Sequence, residues 1–342
     1  MTVAIPEVRI DQLTGLRTLL ATGRAERPDA PAADCQFCEG REDRTPPEVW
    51  AHRPGGGDAD APGWRQRAVP NLYPALTGAG TGDAPSVSES GLTSSADPLL
   101  ASARASESDL FKRASAHGAH EVVINAPRHV ASLAELDENE FAGAIAAWRT
   151  RIAAHAEEAS LVHLIVNEGA GAGATIEHTH AQLFALPFVP AEVARERERF
   201  AAYNQRTTGG HLLEDVMVEE VRRRDRLVAI DGEAALFCPW ASRSPYELRL
   251  VPRSAAPRFD QDDRGIELLH RAVRGLAALL GDGVGLNLWV RTAPRGTEEF
   301  HWHVDLAPRL ATHGGFELGT GVGINTLAPE RAAAALRDAL PE

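Results

Sequence analysis

Apolar residues recur at helical spacing in one segment of the first half of the chain. The apolar positions are Phe141, Ile145, Trp148 and Ile152. Steps of three and four residues place all of them on one face of a helix. Asp137 precedes this segment as a plausible N-cap, and Glu140 adds an acidic group in the first turn. The pattern predicts a helix that begins after Asp137 and buries one face.

Shorter apolar runs around this helix predict strands. They occupy residues 121–124 before the helix, and residues 161–167 and 177–182 after it. Residues 167–175, between the last two runs, are mostly glycine and alanine. Small residues let a backbone turn sharply and approach an anion such as phosphate closely. The first half therefore reads as strand, helix, strand, glycine-rich loop and strand.

The second half repeats this order. Strand-like runs at residues 246–250, 284–290 and 300–306 accompany a helical stripe formed by Ile266, Leu269, Val273, Leu276 and Leu280. Residues 300–306 align with residues 177–183 without a gap, so that His301 falls on His178 and His303 falls on His180. An internal duplication of about 150 residues is the simplest explanation.

The two copies differ in their polar residues. Gln182 of the first copy is matched by Asp305 in the second, and after Pro-Arg the second copy has Ser254 and Ala255 where the first has His129. We expect the first copy to carry the chemical groups and the second to serve as its packing partner.

A His-x-His-x-Gln sequence marks the last strand of the first copy. Side chains alternate along a strand, so His178, His180 and Gln182 would share one face. A His-x-His pair on a strand is more often a surface pair or a metal site. Beside a glycine-rich loop, it suggests phosphate chemistry on a histidine.

Composition limits the class of protein. The 342 residues are 44% hydrophobic and 24% charged, as in soluble globular proteins, and the length suits two modest domains. No apolar run reaches the roughly 18 residues of a membrane span, and the N-terminus lacks the features of a secretion signal. The net charge of −13 argues against a nucleic-acid surface. We therefore expect a cytoplasmic protein that binds neither membranes nor nucleic acid.

The chain has three cysteines, Cys35, Cys38 and Cys238. An odd number without a secretion signal is typical of reduced thiols in the cytosol. Cys35 and Cys38 have the spacing of half a zinc site, which histidines would have to complete. A thioredoxin-like redox pair is the alternative, although no strand precedes the pair and no helix clearly follows it. Cys238 is predicted to be a small buried residue.

Several short motifs occur in a fixed order along the chain. They are Leu13-Thr14-Gly15 with Arg24 and Arg27-Pro28, Cys35-x-x-Cys38 with Thr45-Pro46-Pro47-Glu48, Pro70-Asn71-Leu72-Tyr73-Pro74, Pro127-Arg128-His129, residues 167–182 and residues 315–321. Together they resemble the galactose-1-phosphate uridylyltransferase family of the histidine-triad superfamily, and within it the ADP-glucose phosphorylase-like branch most. The resemblance covers nearly the whole chain apart from residues 76–108, a segment rich in Gly, Ser, Ala and Asp that we predict to be a flexible insertion.

The resemblance implies an α+β fold of tandem duplicated histidine-triad-like domains, each an antiparallel sheet with packed helices. We expect these domains at residues 1–190 and 191–342, and a homodimer whose active sites share residues. The implied reaction is ping-pong transfer of a nucleoside monophosphate from a nucleoside diphosphate sugar, through a covalent histidine, to a hexose 1-phosphate. Inorganic phosphate as the acceptor, as in an ADP-glucose-type phosphorylase, or water, as in a nucleotidyl hydrolase, are alternatives. A zinc-stabilised nucleotide-binding module is the alternative without catalysis.

The matched motifs assign roles to individual residues. His180 resembles the nucleophile, and Gln182 the glutamine that hydrogen-bonds the transferred phosphoryl group. A neutral imidazole is nucleophilic near pH 7, and the carbonyl of His178 is a natural acceptor for its other nitrogen. The implied nucleotide contacts are Arg24, Arg27, Asn71, Asn167, Gly173, Thr175 and Gln182. The implied substrate contacts are Phe316, Glu317, Gly319 and Thr320, and the implied structural zinc site is Cys35, Cys38, His129 and His178.

The sequence also departs from the family pattern. Uridylyltransferases usually have serine where Thr175 stands, and Gly323 lies near the position of a sugar-reading glutamine. Relatives in the phosphorylase-like branch can hold a second metal ion, beginning with another Cys-x-x-Cys. The corresponding stretch here runs from His211 to Glu214, and Ala255 replaces an expected histidine ligand. We therefore do not expect His211, Glu214, His301 and His303 to form a second metal site.

Overall fold

The computed structural model describes residues 6–26, 35–78, 111, 113–281 and 283–341. Arg27, a predicted nucleotide contact, lies outside these residues, and so does the predicted insertion apart from residues 76–78. Leu76 is buried in a small apolar cluster with Val8 and Ala116. Leu76, the first residue of the predicted insertion, is therefore part of the packed structure.

Thirteen strands occur in the described part of the chain. They are β1 (Glu7–Ile10), β2 (Arg17–Leu20), β3 (Trp50–His52), β4 (Gln66–Pro70), β5 (Arg113–Ser115), β6 (Ala119–Ile124), β7 (Leu161–Glu168), β8 (His180–Leu186), β9 (Leu227–Ile230), β10 (Ala234–Phe237), β11 (Leu248–Pro252), β12 (Leu286–Arg291) and β13 (His303–Pro308). Three of them form a small antiparallel sheet in the order β2-β1-β5. The other ten form one antiparallel sheet in the order β3-β4-β6-β8-β7-β12-β13-β11-β10-β9.

The large sheet has the internal symmetry that a duplication predicts. From one edge to the centre the strands are β3, β4, β6, β8 and β7, and from the other edge they are β9, β10, β11, β13 and β12. Strands β7 and β12 pair with each other at the centre. The registers also correspond, because Ile165 lies opposite Gln182 and Trp289 lies opposite Asp305. The predicted α+β class with tandem duplicated antiparallel sheets is confirmed.

Six α-helices occur in the described residues. They are α1 (Glu138–Ala156), α2 (Ala191–Thr207), α3 (Leu212–Arg223), α4 (Ile266–Leu280), α5 (Gly315–Thr320) and α6 (Pro329–Ala339). Helix α1 is the one that the apolar spacing predicts, and Asp137 and Glu140 form a reciprocal capping box at its start. The box satisfies two backbone N–H groups that a helix start otherwise leaves unpaired. None of the described helices is long and apolar enough to cross a membrane.

One face of the large sheet is covered by α1 and α4. Helix α1 packs on β4, β6, β7 and β8, α4 packs on β10 and α6, and the two helices contact each other. Their apolar side chains and those of the sheet form one core that extends through both halves. This core includes Trp148 and Leu183 from the first half and Val273 and Leu306 from the second. The two halves are therefore packed against each other, while the domain boundary near residue 190 stays a prediction.

The opposite face of the sheet is covered differently in the two halves. In the first half, Phe37 packs over Val122 of β6. In the second half, Phe200 of α2 and Met217 of α3 pack over strand residues that include Val251. Ala181 and Leu183 contribute to the helix-side core, so the alternation along β8 directs His180 and Gln182 to this opposite face.

The histidine strand begins later than the sequence pattern predicted. Strand β8 starts at His180, and the preceding residues 177–179 lie in a bend. The N–H of Thr179 donates to the carbonyl of Val130 (2.7 Å), which lies in a loop and not in the sheet. His178 therefore lies just before the strand and not within it. The same correction applies in the second half, where β13 begins at His303 and not at Phe300.

Candidate active site and metal centre

A cavity opens on the face of the sheet that carries His180 and Gln182. Strands β4, β6 and β8 form part of its wall, and residues 36–37, 44–46, 71–73 and 176 complete it. Its lining residues are Gln36, Phe37, Arg44, Thr45, Pro46, Val69, Pro70, Asn71, Leu72, Tyr73, Val122, Ile176, His180 and Gln182. Of the predicted site residues, the cavity thus brings together Asn71, His180 and Gln182.

The imidazole of His180 is held in one orientation. Its Nδ1 lies 2.6 Å from the backbone carbonyl oxygen of His178. A carbonyl can only accept a hydrogen bond, so Nδ1 carries the proton and the lone pair of the neutral ring lies on Nε2. The ring is 3% exposed, and the edge of the Phe37 ring packs against it with centroids 5.1 Å apart. The hydrogen bond that was predicted to select the tautomer of His180 is present.

The amide of Gln182 is oriented by His120. The backbone N–H of Ala75 donates to Nδ1 of His120 (3.0 Å), so Nε2 of that neutral ring must carry the proton. This Nε2 lies 3.3 Å from Oε1 of Gln182 and 3.2 Å from Nδ2 of Asn71, and of these two atoms only the oxygen can accept its proton. The His120 ring also stacks on Phe184, with centroids 4.1 Å apart. With its oxygen engaged, Gln182 offers its amide N–H groups as donors to an anionic ligand.

Two cysteines and two histidines lie together beside this cavity. The four ligand atoms of Cys35, Cys38, His129 and His178 lie within 4.8 Å of one another. Nδ1 of His178 is 3.4 Å from Sγ of Cys35 and 3.7 Å from Sγ of Cys38, and Nδ1 of His129 is 3.6 Å from Sγ of Cys38. A tetrahedral ion with bonds of about 2.3 Å to sulfur and 2.0 Å to nitrogen separates S from N by about 3.5 Å. The group therefore has the spacing of a tetrahedral metal site.

The protonation states of the group also fit a metal ion. Nε2 of His178 donates to the carbonyl of Ala126 (2.9 Å), which leaves the lone pair on Nδ1, the nitrogen that faces the sulfurs. Burial lowers the pKa of His178 to about 4, so the ring is neutral at pH 7. Burial and the neighbouring Cys35 raise the pKa of Cys38 to about 11, and a bound cation would oppose this by favouring the thiolate.

The glycine-rich loop lies at the seam between the two halves. Because Ile165 pairs with Gln182, Asn167 two residues later lies on the same face as His180 and Gln182. Nδ2 of Asn287 on β12 donates both to Oδ1 of Asn167 (2.7 Å) and to the carbonyl of Ala172 (3.0 Å). The second half therefore supports the loop of the first.

Two further predicted loop residues have features of a ligand site. Gly173 has a φ of 84°, a left-handed conformation that glycine adopts without strain. The hydroxyl of Thr175 is buried and has no hydrogen-bond partner among the described residues, whereas buried hydroxyls are normally paired. Neither residue lines the cavity around His180 in this chain.

Arg24 is placed against the rim of the cavity. It lies in a 3₁₀ turn at Thr22–Glu26, and its guanidinium donates to the carbonyl of Tyr73 (2.7 Å). Burial lowers its pKa below the ordinary value for arginine, but an arginine stays charged at neutral pH. The side chain of Asn71 accepts from the N–H of Tyr73 (2.9 Å) and so fixes the same segment.

The predicted substrate contacts lie apart from the cavity within one chain. Phe316, Glu317, Gly319 and Thr320 belong to the short helix α5 and are not among the cavity residues. Glu317 caps the start of this helix by accepting from the N–H of Gly314 (2.9 Å), and Thr320 donates to the carbonyl of Phe316 (2.7 Å). The ring of Phe316 is 52% exposed. Within this chain the side chains of Glu317 and Thr320 therefore stabilise α5 itself.

His120 and Asn287 are site residues that sequence reasoning missed. His120 stands two residues before Val122, so the alternation of β6 could have placed it on the cavity face. Asn287 gives no local signal, because its contact joins residues that are 120 positions apart in the chain. Only the pairing of β7 with β12 brings it to the loop.

The chain is similar in sequence to known proteins. A sequence profile described as "Galactose-1-phosphate uridyl transferase, N-terminal domain" matches residues 92–190. An ADP-glucose phosphorylase from Arabidopsis thaliana is 28% identical over 97% of this chain and 93% of its own length. A galactose-1-phosphate uridylyltransferase from Cryptococcus neoformans is 28% identical over 72% of this chain and 71% of its own.

Two solved structures show similar folds. The crystal structure of an ADP-glucose phosphorylase from Arabidopsis thaliana with bound ADP-glucose matches with a TM-score of 0.70 and 26% identity, covering 97% of this chain and 99% of that one. A uridylyltransferase structure matches with a TM-score of 0.76 and 23% identity, covering 97% and 98% of the two chains. At that identity the second match shows the fold alone.

Proposed function

The resemblance of this chain to the galactose-1-phosphate uridylyltransferase family is confirmed, and on that premise we propose that His180 is the nucleophile of a nucleotidyl transfer. Its relatives are enzymes of nucleotidyl transfer or phosphorylase type. The donor is a nucleoside diphosphate sugar, and the acceptor is a hexose 1-phosphate. The observation that carries the proposal is the hydrogen bond from Nδ1 of His180 to the carbonyl of His178, which directs the lone pair to Nε2.

In the first step, Nε2 of His180 attacks the α-phosphorus of the donor. A P–N bond forms while the bond from that phosphorus to the bridging oxygen breaks, and hexose 1-phosphate leaves with the electron pair. The Nδ1 proton stays on the ring, where the carbonyl of His178 stabilises the positive charge that the ring acquires. The amide of Gln182 donates to a non-bridging oxygen as negative charge shifts in the transition state.

In the second step, a phosphate oxygen of the acceptor attacks the same phosphorus and the P–N bond breaks. Electrons return to Nε2, and the neutral imidazole is restored for the next cycle. In both steps the protein contributes mainly by positioning the reacting groups and by stabilising charge in the transition state. Arg24, Asn71, Asn167, Gly173 and Thr175 are proposed to supply these through the nucleotide and its phosphates. Arg27 is proposed with them from the sequence alone.

The ion that fits the Cys35, Cys38, His129 and His178 group is proposed to be zinc. Two thiolates and two imidazoles would complete its coordination, so the zinc would be structural and would take no substrate. It would fix His178, whose carbonyl orients the nucleophile, and with it the start of β8. The close spacing of the four ligand atoms, all within 4.8 Å of one another, supports this proposal.

Inorganic phosphate is a second candidate acceptor. The relative that covers 97% of this chain is an ADP-glucose phosphorylase, whereas the uridylyltransferase from Cryptococcus neoformans covers 72% of it. The two reactions share the first step and differ only in what attacks the nucleotidyl-histidine.

A homodimer is proposed as the functional form. Phe316, Leu318, Val322 and Ile324 expose large apolar side chains on one short stretch of the second half. In a dimer, this stretch would be buried, and Phe316, Glu317, Gly319 and Thr320 could contact the sugar of a substrate held by the other subunit. Analytical ultracentrifugation tests this directly, since a monomer at micromolar concentration would contradict it.

The experiment that tests the proposed function is intact-protein mass spectrometry after brief incubation with UDP-glucose or ADP-glucose. We expect one nucleotidyl adduct, UMP or AMP, on the wild type and none on His180→Ala. His303→Gln is the matched control, because His303 holds the equivalent position in the second half and lies under α2. An adduct on His180→Ala, or loss of labelling in His303→Gln alone, would reject the assignment.

The acceptor follows from chasing the labelled enzyme. Loss of the adduct with galactose 1-phosphate supports the transferase, and loss with inorganic phosphate supports the phosphorylase. Free nucleoside monophosphate without any acceptor would instead indicate a hydrolase. Tight nucleotide-sugar binding without any adduct would leave a binding module and contradict catalysis by His180.

A further inference from the structure

Thr179 directly precedes the proposed nucleophile, and all of its hydrogen-bonding groups have partners. Its N–H donates to the carbonyl of Val130 (2.7 Å), and its own carbonyl accepts from the N–H of Asn125 (3.3 Å). Its hydroxyl donates to Oε1 of Glu168 (2.8 Å) and accepts from Nδ2 of Asn125 (3.1 Å). The residue is 2% exposed. Any rotation of Thr179 would therefore leave a buried polar group unpaired, which costs about 1–3 kcal/mol per group.

The partners of Thr179 are themselves fixed. The carboxylate of Glu168 accepts from the hydroxyl of Ser132 (2.9 Å) and from the N–H of Leu133 (2.7 Å). Oδ1 of Asn125 accepts from the indole N–H of Trp148 (2.8 Å) on α1. These groups lie beneath α1, on the face of the sheet opposite the cavity. The network thus ties the residue before the nucleophile to the rigid, helix-covered side of the domain.

This network sets the direction of the carbonyl that holds the nucleophile. The carbonyl of His178 and the N–H of Thr179 belong to one planar trans peptide, so they point in opposite directions. The N–H is fixed on Val130, and the carbonyl is thereby aimed at Nδ1 of His180, 2.6 Å away. A tilt of this peptide would weaken the hydrogen bond that keeps the lone pair of His180 on Nε2.

The second half shows which part of this arrangement belongs to the fold itself. Trp302 stands in the place of Thr179, and its N–H donates to the carbonyl of Ala256 (2.8 Å). Nδ1 of His303 lies 3.1 Å from the carbonyl of His301, compared with 2.6 Å for the first-half pair. The backbone arrangement is therefore common to both halves, including the half to which we assign no chemistry.

The link from hydroxyl to carboxylate is a feature of the first half. In the place of Glu168 the second half has Thr292, whose hydroxyl accepts from the N–H of Phe259 (3.1 Å). Trp302 has no hydroxyl, and its indole N–H donates to Asp262 instead (2.8 Å). The half with the cavity thus adds a side-chain network to an inherited backbone anchor.

We propose that the Thr179 hydroxyl, held by Glu168 and Asn125, is a positioning group that fixes the His178–Thr179 peptide and so the tautomer and direction of His180 in the transfer reaction. This inference rests on the proposed function of His180. Thr179 does not touch the substrate in it, and acts only through the histidine that follows.

Two matched variants test the hydroxyl. Thr179→Val removes it at nearly constant shape, and Thr179→Ser keeps it. We expect Thr179→Val to slow formation of the nucleotidyl-enzyme in a single turnover by about ten- to a hundredfold, since small misplacements of a reacting group have effects of this size. KM for the nucleotide sugar should stay unchanged, and Thr179→Ser should react at nearly the wild-type rate. A Thr179→Val enzyme that labels as fast as the wild type would overturn the proposal, as would an equal loss in both variants.

A second readout does not depend on turnover. The Nδ1 proton of His180 should give a slowly exchanging downfield proton resonance in the wild type, assigned by its absence in His180→Ala. We expect the signal in Thr179→Ser and its loss through exchange in Thr179→Val. If the wild type formed no adduct, the proposed function would fail while this signal could still report the positioning.

The wild type alone provides a further test in case Thr179→Val does not fold. The amide proton of Thr179 should exchange as slowly as amides at the centre of β8, because it is buried and bonded to Val130. Exchange as fast as in exposed loops would overturn the proposal without any variant.

Discussion

Strands β8 and β13 occupy equivalent positions in the two halves, but their surroundings differ. Each begins with a histidine whose Nδ1 faces the carbonyl two residues before it. His180 faces a cavity, whereas His303 lies beneath α2, with its Nε2 3.8 Å from Glu196 and 3.7 Å from Asp305. Burial and the nearby Arg249 lower the pKa of His303 to about 3. What covers the strand therefore decides whether its histidine can meet a substrate.

Gln182 and Asp305, two positions after these histidines, also differ in their surroundings. Gln182 lies opposite Val122 and is oriented by a neutral ring, His120. Asp305 lies opposite Arg249, and the two form an ion pair at 2.6 Å. An ionised carboxylate has no N–H or O–H group to donate to an anionic phosphate, whereas the amide of Gln182 can donate a hydrogen bond. The two copies thus share the strand, but its polar groups line a cavity in the first half and contact Arg249 and α2 in the second.

Loss of the metal group should have the largest effect, because the second half has no such group among the described residues. Cys35→Ser should remove the bound metal, lower the unfolding midpoint by several degrees and abolish nucleotidyl labelling, since a structural zinc contributes directly to folding. Metal content by mass spectrometry and thermal unfolding measure these effects. Cys238→Ala is the control that should keep its metal, and a metal-free but fully active Cys35→Ser enzyme would contradict the assignment.

Giving the first half the acidic residue of the second should abolish most of the activity. Gln182→Asp replaces the amide donor with a carboxylate beside the transferring phosphate, and we expect a loss of about 10²–10³-fold in the rate of labelling. Gln182→Asn keeps the amide on a shorter side chain and should lose less. Stopped-flow quench and mass spectrometry give both rates. Equal rates for Asp and Asn at this position would show that the amide does not act on the phosphate.

Glu168 gives the first half a pH-dependent stability that Thr292 cannot give the second. Burial raises the pKa of Glu168 to about 7, against the hydrogen bonds that Thr179 and Ser132 donate. Between about pH 4.5 and 7 the native state then holds a proton that the unfolded chain has lost, so the free energy of unfolding falls by roughly 3 kcal/mol as the pH rises through this range. Urea unfolding should show this slope in the wild type and its loss in Glu168→Gln. Parallel pH profiles for the two proteins would contradict the raised pKa.

Breaking the ion pair of the second half should have the smallest effect. Asp305→Asn leaves Arg249 without its charged partner, but about a quarter of the arginine side chain is exposed and can be hydrated. We expect the free energy of unfolding to fall by about 1 kcal/mol, at the low end for an unpaired charged group. Labelling of His180 should be unchanged. Chemical unfolding measures the loss of stability, and the labelling assay measures the reaction of His180. A marked loss of labelling would mean that the second half takes part in the chemistry.

Much of this architecture could be predicted from short patterns. The spacing of Phe141, Ile145, Trp148 and Ile152 and the capping pair at Asp137 depend on neighbours within a few residues, and α1 forms as they predict. The gap-free repeat of the histidine segment predicted the symmetry of the sheet. The Cys-x-x-Cys spacing, with two histidines from the matched motifs, predicted a group of four residues that the fold assembles. These signals are local or are repeated along the chain.

Other features could not be predicted, because they depend on contacts between distant segments. Strand β8 begins at His180, later than predicted, because the N–H of Thr179 donates to the carbonyl of Val130 in a loop. No periodic pattern in the sequence connects these two residues. The support of the glycine-rich loop by Asn287 requires the central pairing of β7 with β12. Sequence patterns also did not predict that the residues of α5 would lie outside the cavity of the same chain.

The sequence by itself determined the repeated elements, the side chains of the candidate metal site and the identity of the candidate nucleophile, because each follows from residue spacing or residue type. The tertiary structure alone decided which of the two equivalent histidines faces a cavity. That choice depends on α2, which covers His303 and has no counterpart over His180 among the described residues. It depends also on hydrogen bonds such as those of Thr179, which exist only when segments far apart in the chain meet and lose their contact with water.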